Sequence, residues 1–256
     1  DNSDYSCPIL YTWNGQKFDF VTDVMGRGVI GIMVAPGTYR YPPAIEDSRI
    51  DASQLVAKDG KYLLRLKNEK DEIEYVDNVT LRAIDHPKGT QVYLDDITRT
   101  FNTRGLGGAT VYTVKDPKPV KATYDNVVYY RGRAVSGMDV TAALAKADGT
   151  FAPASLFDDN RYTFDLGDLK SDANVKLVMR GWSEYATPAE RGEWLGSGAK
   201  SPDMVLELSD GHGGWQPIDT DLAFIPGYDK TVVFDLSKKF PAGSDFKVRM
   251  RGLTRT

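Results

Sequence analysis

Two histidines, His86 and His212, and one cysteine, Cys7, are the imidazole and thiol groups of this 256-residue chain. A histidine-rich zinc centre is therefore excluded, because zinc is held by three or four such side chains at once. A Cys–His pair would need Cys7 beside one of the two histidines. Cys7 precedes Pro8 and the apolar Ile9-Leu10, a setting that reads as a buried, inert thiol. No Gly-x-Ser-x-Gly elbow and no P-loop occurs. Gly196-Ser197-Gly198 lacks that frame and reads as a flexible loop, and Gly105-Leu106-Gly107-Gly108 lies between strand-like runs rather than ahead of a helix. Paired carboxylates could hydrolyse a glycoside only at a set separation across a cleft, and among 36 acidic residues chance pairs abound. The expectation is a protein that is not an enzyme. A hydrolase site built from Asp, Tyr and Arg is a third reading, kept only because β-folds can host enzymes.

Two groups of side chains suit binding. Asp158-Asp159-Asn160, with Asp165 or Asp168, could give a structural calcium ion the hard oxygen ligands it prefers. The competing reading is an Asx-type turn entering a strand. Trp182, Tyr185 and Trp194 flank the polar stretch Thr187–Glu193, which contains Arg191. Exposed rings on such an inserted loop could stack on a sugar or anchor a protein partner. Against that, Trp182 reads first as core, and Trp194 reads equally as cover for the base of its own loop. Trp215, after Gly213-Gly214, reads as restarting a strand and joins the candidate partner-binding set.

The elements that would position these groups are strands. Tyr11-Thr12-Trp13, Asn14-Gly15 and Lys17–Val21 read as a hairpin with a tight two-residue turn. Tyr62–Leu66, Asn78–Ile84, Gln91–Leu94 and Thr110–Val114 continue the alternation. Asp116-Pro117-Lys118-Pro119 cannot lie mid-sheet and reads as a connector between a subdomain of residues 1–115 and one of residues 116–256. Asp139–Ala147 is the one good helix candidate, with Asp139 as N-cap. In the second half Phe164-Asp165-Leu166, a loop, and a strand closing in Met179-Arg180-Gly181 recur as Phe234-Asp235-Leu236 and Met250-Arg251-Gly252. Either this is a duplicated strand–loop–strand unit or two strand pairs converged on one pattern. Both readings place Phe and Leu inward and Asp and Lys outward. The predicted class is all-β, a β-sandwich of jelly-roll or galactose-binding-like type with one short helix, as one core or two.

Net charge is −4, and basic residues are interleaved with acids, as in Lys67–Glu72. Nucleic acid is therefore not an expected partner, since phosphate binding needs clustered Lys and Arg. No apolar run is long enough to span a membrane as a helix. The single cysteine precludes an internal disulfide, and the start at Asp1-Asn2-Ser3-Asp4 looks processed or trimmed.

The run Cys7–Gly15 followed by Phe18, Phe20–Val24 and Gly26 resembles a C-terminal region of large exported bacterial proteins. Those proteins carry FG-GAP propeller repeats and an ASPIC/UnbV module, often with tetratricopeptide repeats. The similarity continues in Ala35-Pro36-Gly37, Ala83–Pro87, Val114–Pro119, Arg180-Gly181-Trp182 and Asp210–Trp215. The resemblance implies an extracytoplasmic (periplasmic or extracellular), non-catalytic module and carries no active-site residues with it. Proteins of this kind continue into a further strand containing Tyr-Trp-Asp, whereas this sequence stops at Leu253–Thr256, which puts closure of the C-terminal sheet in question. Two functions are expected from this: an interaction or assembly module of a larger envelope or surface complex, or a carbohydrate-binding module with structural calcium.

Overall fold

The structure is a computed structural model that describes residues 8–24, 33–35, 38–39, 47–68, 76–95, 109–125, 128–130, 133–135, 137–146, 160–170, 173–181, 192, 196, 204–222 and 230–251. It is mostly β, with antiparallel sheets and a short helix. The chain divides into two compact units, one of Asp1–Asp116 with Gly227–Val232 and one of Pro117–Pro226 with Val233–Thr256.

In the first unit β1 (Ile9–Trp13) lies between β2 (Phe18–Asp23) and β5 (Leu64–Lys67), while β3 (Met33–Ala35) pairs with β4 (Thr38–Tyr39) and β6 (Thr90–Asp95) with β7 (Thr110–Lys115). The β1–β2 hairpin forms as its alternation predicts, but its turn is longer than two residues. Trp13 pairs with Phe18, and Asn14 Oδ1 accepts the Gln16 and Lys17 amides at 2.8 and 2.9 Å. That local bond lets the asparagine side chain organise the loop, with Gly15 at a positive φ of 101°. The segment Asn78–Ile84 forms no strand. Its Val79, Leu81 and Ile84 are exposed, and Arg82 pairs instead with Asp47, whose other oxygen accepts the Ala109 amide at 2.7 Å. Alternation supplies a strand-compatible surface and not a ladder partner.

The second unit is built on a six-stranded sheet in the order β11-β8-β12-β17-β14-β15. Its strands are β8 (Lys121–Tyr124), β11 (Met138–Asp139), β12 (Arg161–Asp165), β14 (Met204–Ser209), β15 (Trp215–Leu222) and β17 (Lys247–Arg251). β9 (Val128–Tyr130) pairs with β10 (Arg133–Val135), and β13 (Lys176–Gly181) with β16 (Lys230–Asp235), whose first three residues belong to the first unit. The helix α1 (Thr141–Leu144) has four residues, far shorter than Asp139–Ala147. Asp139 ends β11 instead, its carboxylate accepting the Thr141 amide at 2.9 Å. The two edges of the large sheet are poor templates for strand addition. β11 has two residues and β15 carries Pro217, which cannot donate to a ladder.

One face of this sheet is apolar and buried. Tyr124 and Tyr162 are paired across β8 and β12, Phe164 faces Val248, and Leu206 and Leu208 face Met250 and Val248. Each such side chain contributes roughly 1.5–3 kcal/mol by leaving water. The Tyr124 hydroxyl donates to Asn160 Oδ1 at 2.6 Å, and burial pushes the Tyr162 hydroxyl's pKa upward, with Tyr124 beside it adding to the shift.

The Phe-Asp-Leu repeats do not pair within themselves. β12 of the first pairs with β17 of the second, and β13 of the first with β16 of the second. Equivalent contacts recur. Leu166 N–H donates to Phe246 O at 3.2 Å, as Leu236 N–H does to Val175 O at 2.9 Å. Asp165 accepts the Gly167 amide at 2.9 Å, as Asp235 accepts the Ser237 amide at 3.0 Å. Asp165 stands opposite Lys247, and Asp235 pairs with Lys176 at 2.7 Å. Phe164, Phe234 and Leu236 are buried and Asp165 is exposed, the predicted facing.

Candidate functional site

The other face of the six-stranded sheet is polar, by the same alternation. Glu207 stands opposite Arg249, and Arg251 opposite Val205 and Arg161. Glu207 is buried at 5 % exposure, which an unpaired carboxylate would not tolerate. Arg249 Nε donates to its Oε2 at 2.7 Å, and Arg251 Nε to its Oε1 at 3.1 Å. Both carboxylate oxygens are thus engaged. Arg249 also reaches diagonally to lay its guanidinium 4.3 Å from the centre of the Trp215 ring. Such a cation–π contact, with a carboxylate fixing the plane, locks a guanidinium that would otherwise sample many rotamers.

Trp215 is placed by the turn before it. Asp210 accepts the His212 and Gly214 amides at 2.8 and 2.9 Å, which hold its pKa below the ordinary carboxylate value, and its own N–H donates to Gly214 O at 3.1 Å. Gly211 has φ 77°, and a Cβ there would lie 2.1 Å from the Gly243 carbonyl oxygen, so only glycine fits. Beside Arg249, the Thr163 hydroxyl donates to the Asp125 carboxylate. Trp215 itself is half-buried.

Of the residues singled out from sequence, Trp215 falls in this cluster. Asn160 is fully buried, its Oδ1 accepting the Tyr124 hydroxyl. Trp182, Tyr185, Arg191, Trp194, Asp158, Asp159 and Cys7 lie outside the described residues. Among the described residues no group of three or more His, Cys, Asp or Glu side chains could hold a metal ion. His86 and His212 are exposed, the former with Nδ1 at 3.1 Å from Thr90 Oγ1. No described helix is long and apolar enough to cross a membrane.

A second cluster, not singled out from sequence, lies on the first unit's hairpin. Tyr11, Trp13, Phe18 and Phe20 share one face of β1 and β2, with ring centres 5.4 Å apart for Trp13–Phe18 and 6.3 Å for Tyr11–Phe20. Lys58 Nζ lies 5.1 Å from the Trp13 ring centre and the Arg65 guanidinium 4.0 Å from that of Phe18. Its signal was present in Tyr-x-Trp and Phe-x-Phe, since period-two spacing puts each pair on one side.

These features define a β-rich protein of antiparallel sheets with a preorganised Trp–Arg–Glu–Arg cluster. No protein-family model, curated protein or solved structure matches the chain.

Proposed function

We propose that the chain is a non-catalytic interaction module that works outside the cytoplasm and docks a protein partner on the polar face of its six-stranded sheet. The observation that carries this reading is the Trp215–Arg249–Glu207–Arg251 cluster. Trp and Arg dominate the binding energy of protein interfaces, above all where their geometry is fixed before contact. Glu207 supplies that fixing, and both guanidinium groups keep N–H donors beyond those given to it. The blunt sheet edges favour docking on the face over strand addition. The test is a photo-reactive residue at position 215 in cells producing the chain. A discrete crosslinked partner outside the cytoplasm, lost on Arg249→Ala, is expected. No adduct, together with a chain that stays monomeric at high concentration, refutes the reading.

A carbohydrate-binding role is the second reading, favoured by the four-ring face of the β1–β2 hairpin. Glycan binding abolished by Trp13→Ala and untouched by Trp215→Ala would establish it. The absence of binding to any glycan, with or without calcium, would remove it.

A further inference from the structure

We propose that Lys230 and Asp23 condense into an intramolecular amide, with the Thr22 hydroxyl as the proton relay. Both ends belong to the first unit, Asp23 closing β2 and Lys230 opening β16. Their side chains are 2 % and 9 % exposed. Lys230 Nζ donates to Asp23 Oδ1, to the Asp23 carbonyl oxygen at 3.4 Å and to Thr22 Oγ1 at 3.2 Å. The Thr22 hydroxyl in turn lies 3.2 Å from Asp23 Oδ1. One hydroxyl therefore touches both charged groups.

Burial penalises this ion pair twice, once for each charge taken out of water. Condensation proceeds from the neutral amine and the neutral acid. Thr22 can accept a proton from the ammonium as it passes its own to Oδ1, which converts the pair into those reactive forms. The Lys230 nitrogen then attacks Asp23 Cγ. The C–N bond forms, the C–OH bond breaks, and the hydroxyl leaves with an amine proton as water. Nothing is oxidised or reduced and no co-reactant enters. An unactivated acid and amine need a high effective concentration to condense, and held groups reach roughly 10⁵–10⁸ M. With one cysteine the chain has no internal disulfide. The amide would be its covalent staple, closing a loop between residues 207 apart in sequence.

Intact mass and peptide mapping of the denatured full-length chain decide the matter. The wild type should be one water lighter than its sequence and yield a branched peptide joining Asp23 to Lys230. Lys230→Arg and Asp23→Ala should show full mass. Thr22→Val should form the crosslink at least roughly ten-fold more slowly after refolding, the scale of a lost proton relay. A wild-type chain at full mass after days at neutral pH overturns the proposal, as does a water loss that persists in Lys230→Arg, which marks a succinimide. A crosslinking rate unchanged by Thr22→Val overturns the assigned relay. The wild-type measurement depends on no variant folding.

Discussion

Glu207→Gln isolates what the buried carboxylate does for the polar face. The substitution keeps the volume and one acceptor oxygen and removes the charge that two guanidinium groups share. Breaking a buried ion pair costs about 3–5 kcal/mol. Two features lower that here. Arg251 is 35 % exposed, so water recovers part of its loss, and the glutamine oxygen still accepts one N–H. Arg249, at 17 % exposure, bears most of the change. The expected loss is about 2–3 kcal/mol in urea denaturation, seen as a fall in Tm of roughly 6–10 °C. Trp215 fluorescence should follow the same substitution before unfolding, because the guanidinium over its ring loses its anchor. Changing Glu207, Arg249 and Arg251 together to Leu, Met and Met should recover most of the stability, since an apolar trio leaves no charge unpaired. A Glu207→Gln loss below about 0.5 kcal/mol, the size of an exposed pair, would refute the claim that this carboxylate is a buried organiser of the face.

Gly211→Ala should destabilise the second unit by about 2 kcal/mol or more and shift Trp215 emission, because the new methyl meets the Gly243 carbonyl at a positive φ; an unchanged melting curve would refute the close approach. Asp235 is partly desolvated, which raises its pKa, but the Lys176 ammonium and the Ser237 hydroxyl and amide outweigh that and bring it down to about 2. Its folded value lies below the ordinary 3.8, so its stabilisation is present above that value and fades as pH falls from about 3.8 towards 2. With the carboxylate 44 % exposed the contribution stays below about 1 kcal/mol, and Asp235→Asn should flatten the acid limb of a stability–pH curve by that amount. Tyr124→Phe removes the hydroxyl that Asn160 accepts in a fully buried setting, so a loss of about 1–2 kcal/mol is expected in thermal unfolding.

The elements most readable in the sequence were those whose partners lie close by or whose alternation is strict. Tyr11-x-Trp13 and Phe18-x-Phe20 mark a hairpin because both strands lie within a dozen residues and one face is aromatic. The Phe-Asp-Leu repeats state their own facing, and Phe164, Phe234 and Leu236 are buried as that rhythm requires. What the repeats do not state is that each pairs with the other, since register between Arg161–Asp165 and Lys247–Arg251, far apart in sequence, depends on the whole core. Asn78–Ile84 alternates as cleanly as any strand and pairs with none among the described residues. Asp139–Ala147 has helical composition, yet the β8–β11 pairing claims its first residue and leaves a single turn. The polar cluster was hidden for a related reason. Arg249 and Arg251 read as outward residues of a strand, and nothing local says that Glu207, 42 positions from Arg249, meets them.

The central place of β17 bears on when the second unit can mature. Synthesised after β8, β11, β12, β14 and β15, it lies between β12 and β14, so the sheet stays in two pieces until residues 247–251 are free to insert. The interleaving of β12 with β17 and β13 with β16 denies either repeat a finished partner of its own. Late closure of long loops makes such a topology slow to fold. A nascent chain stalled before Lys247 should therefore remain protease-sensitive throughout residues 117–222, and resistance should arise in one step once the final strand emerges.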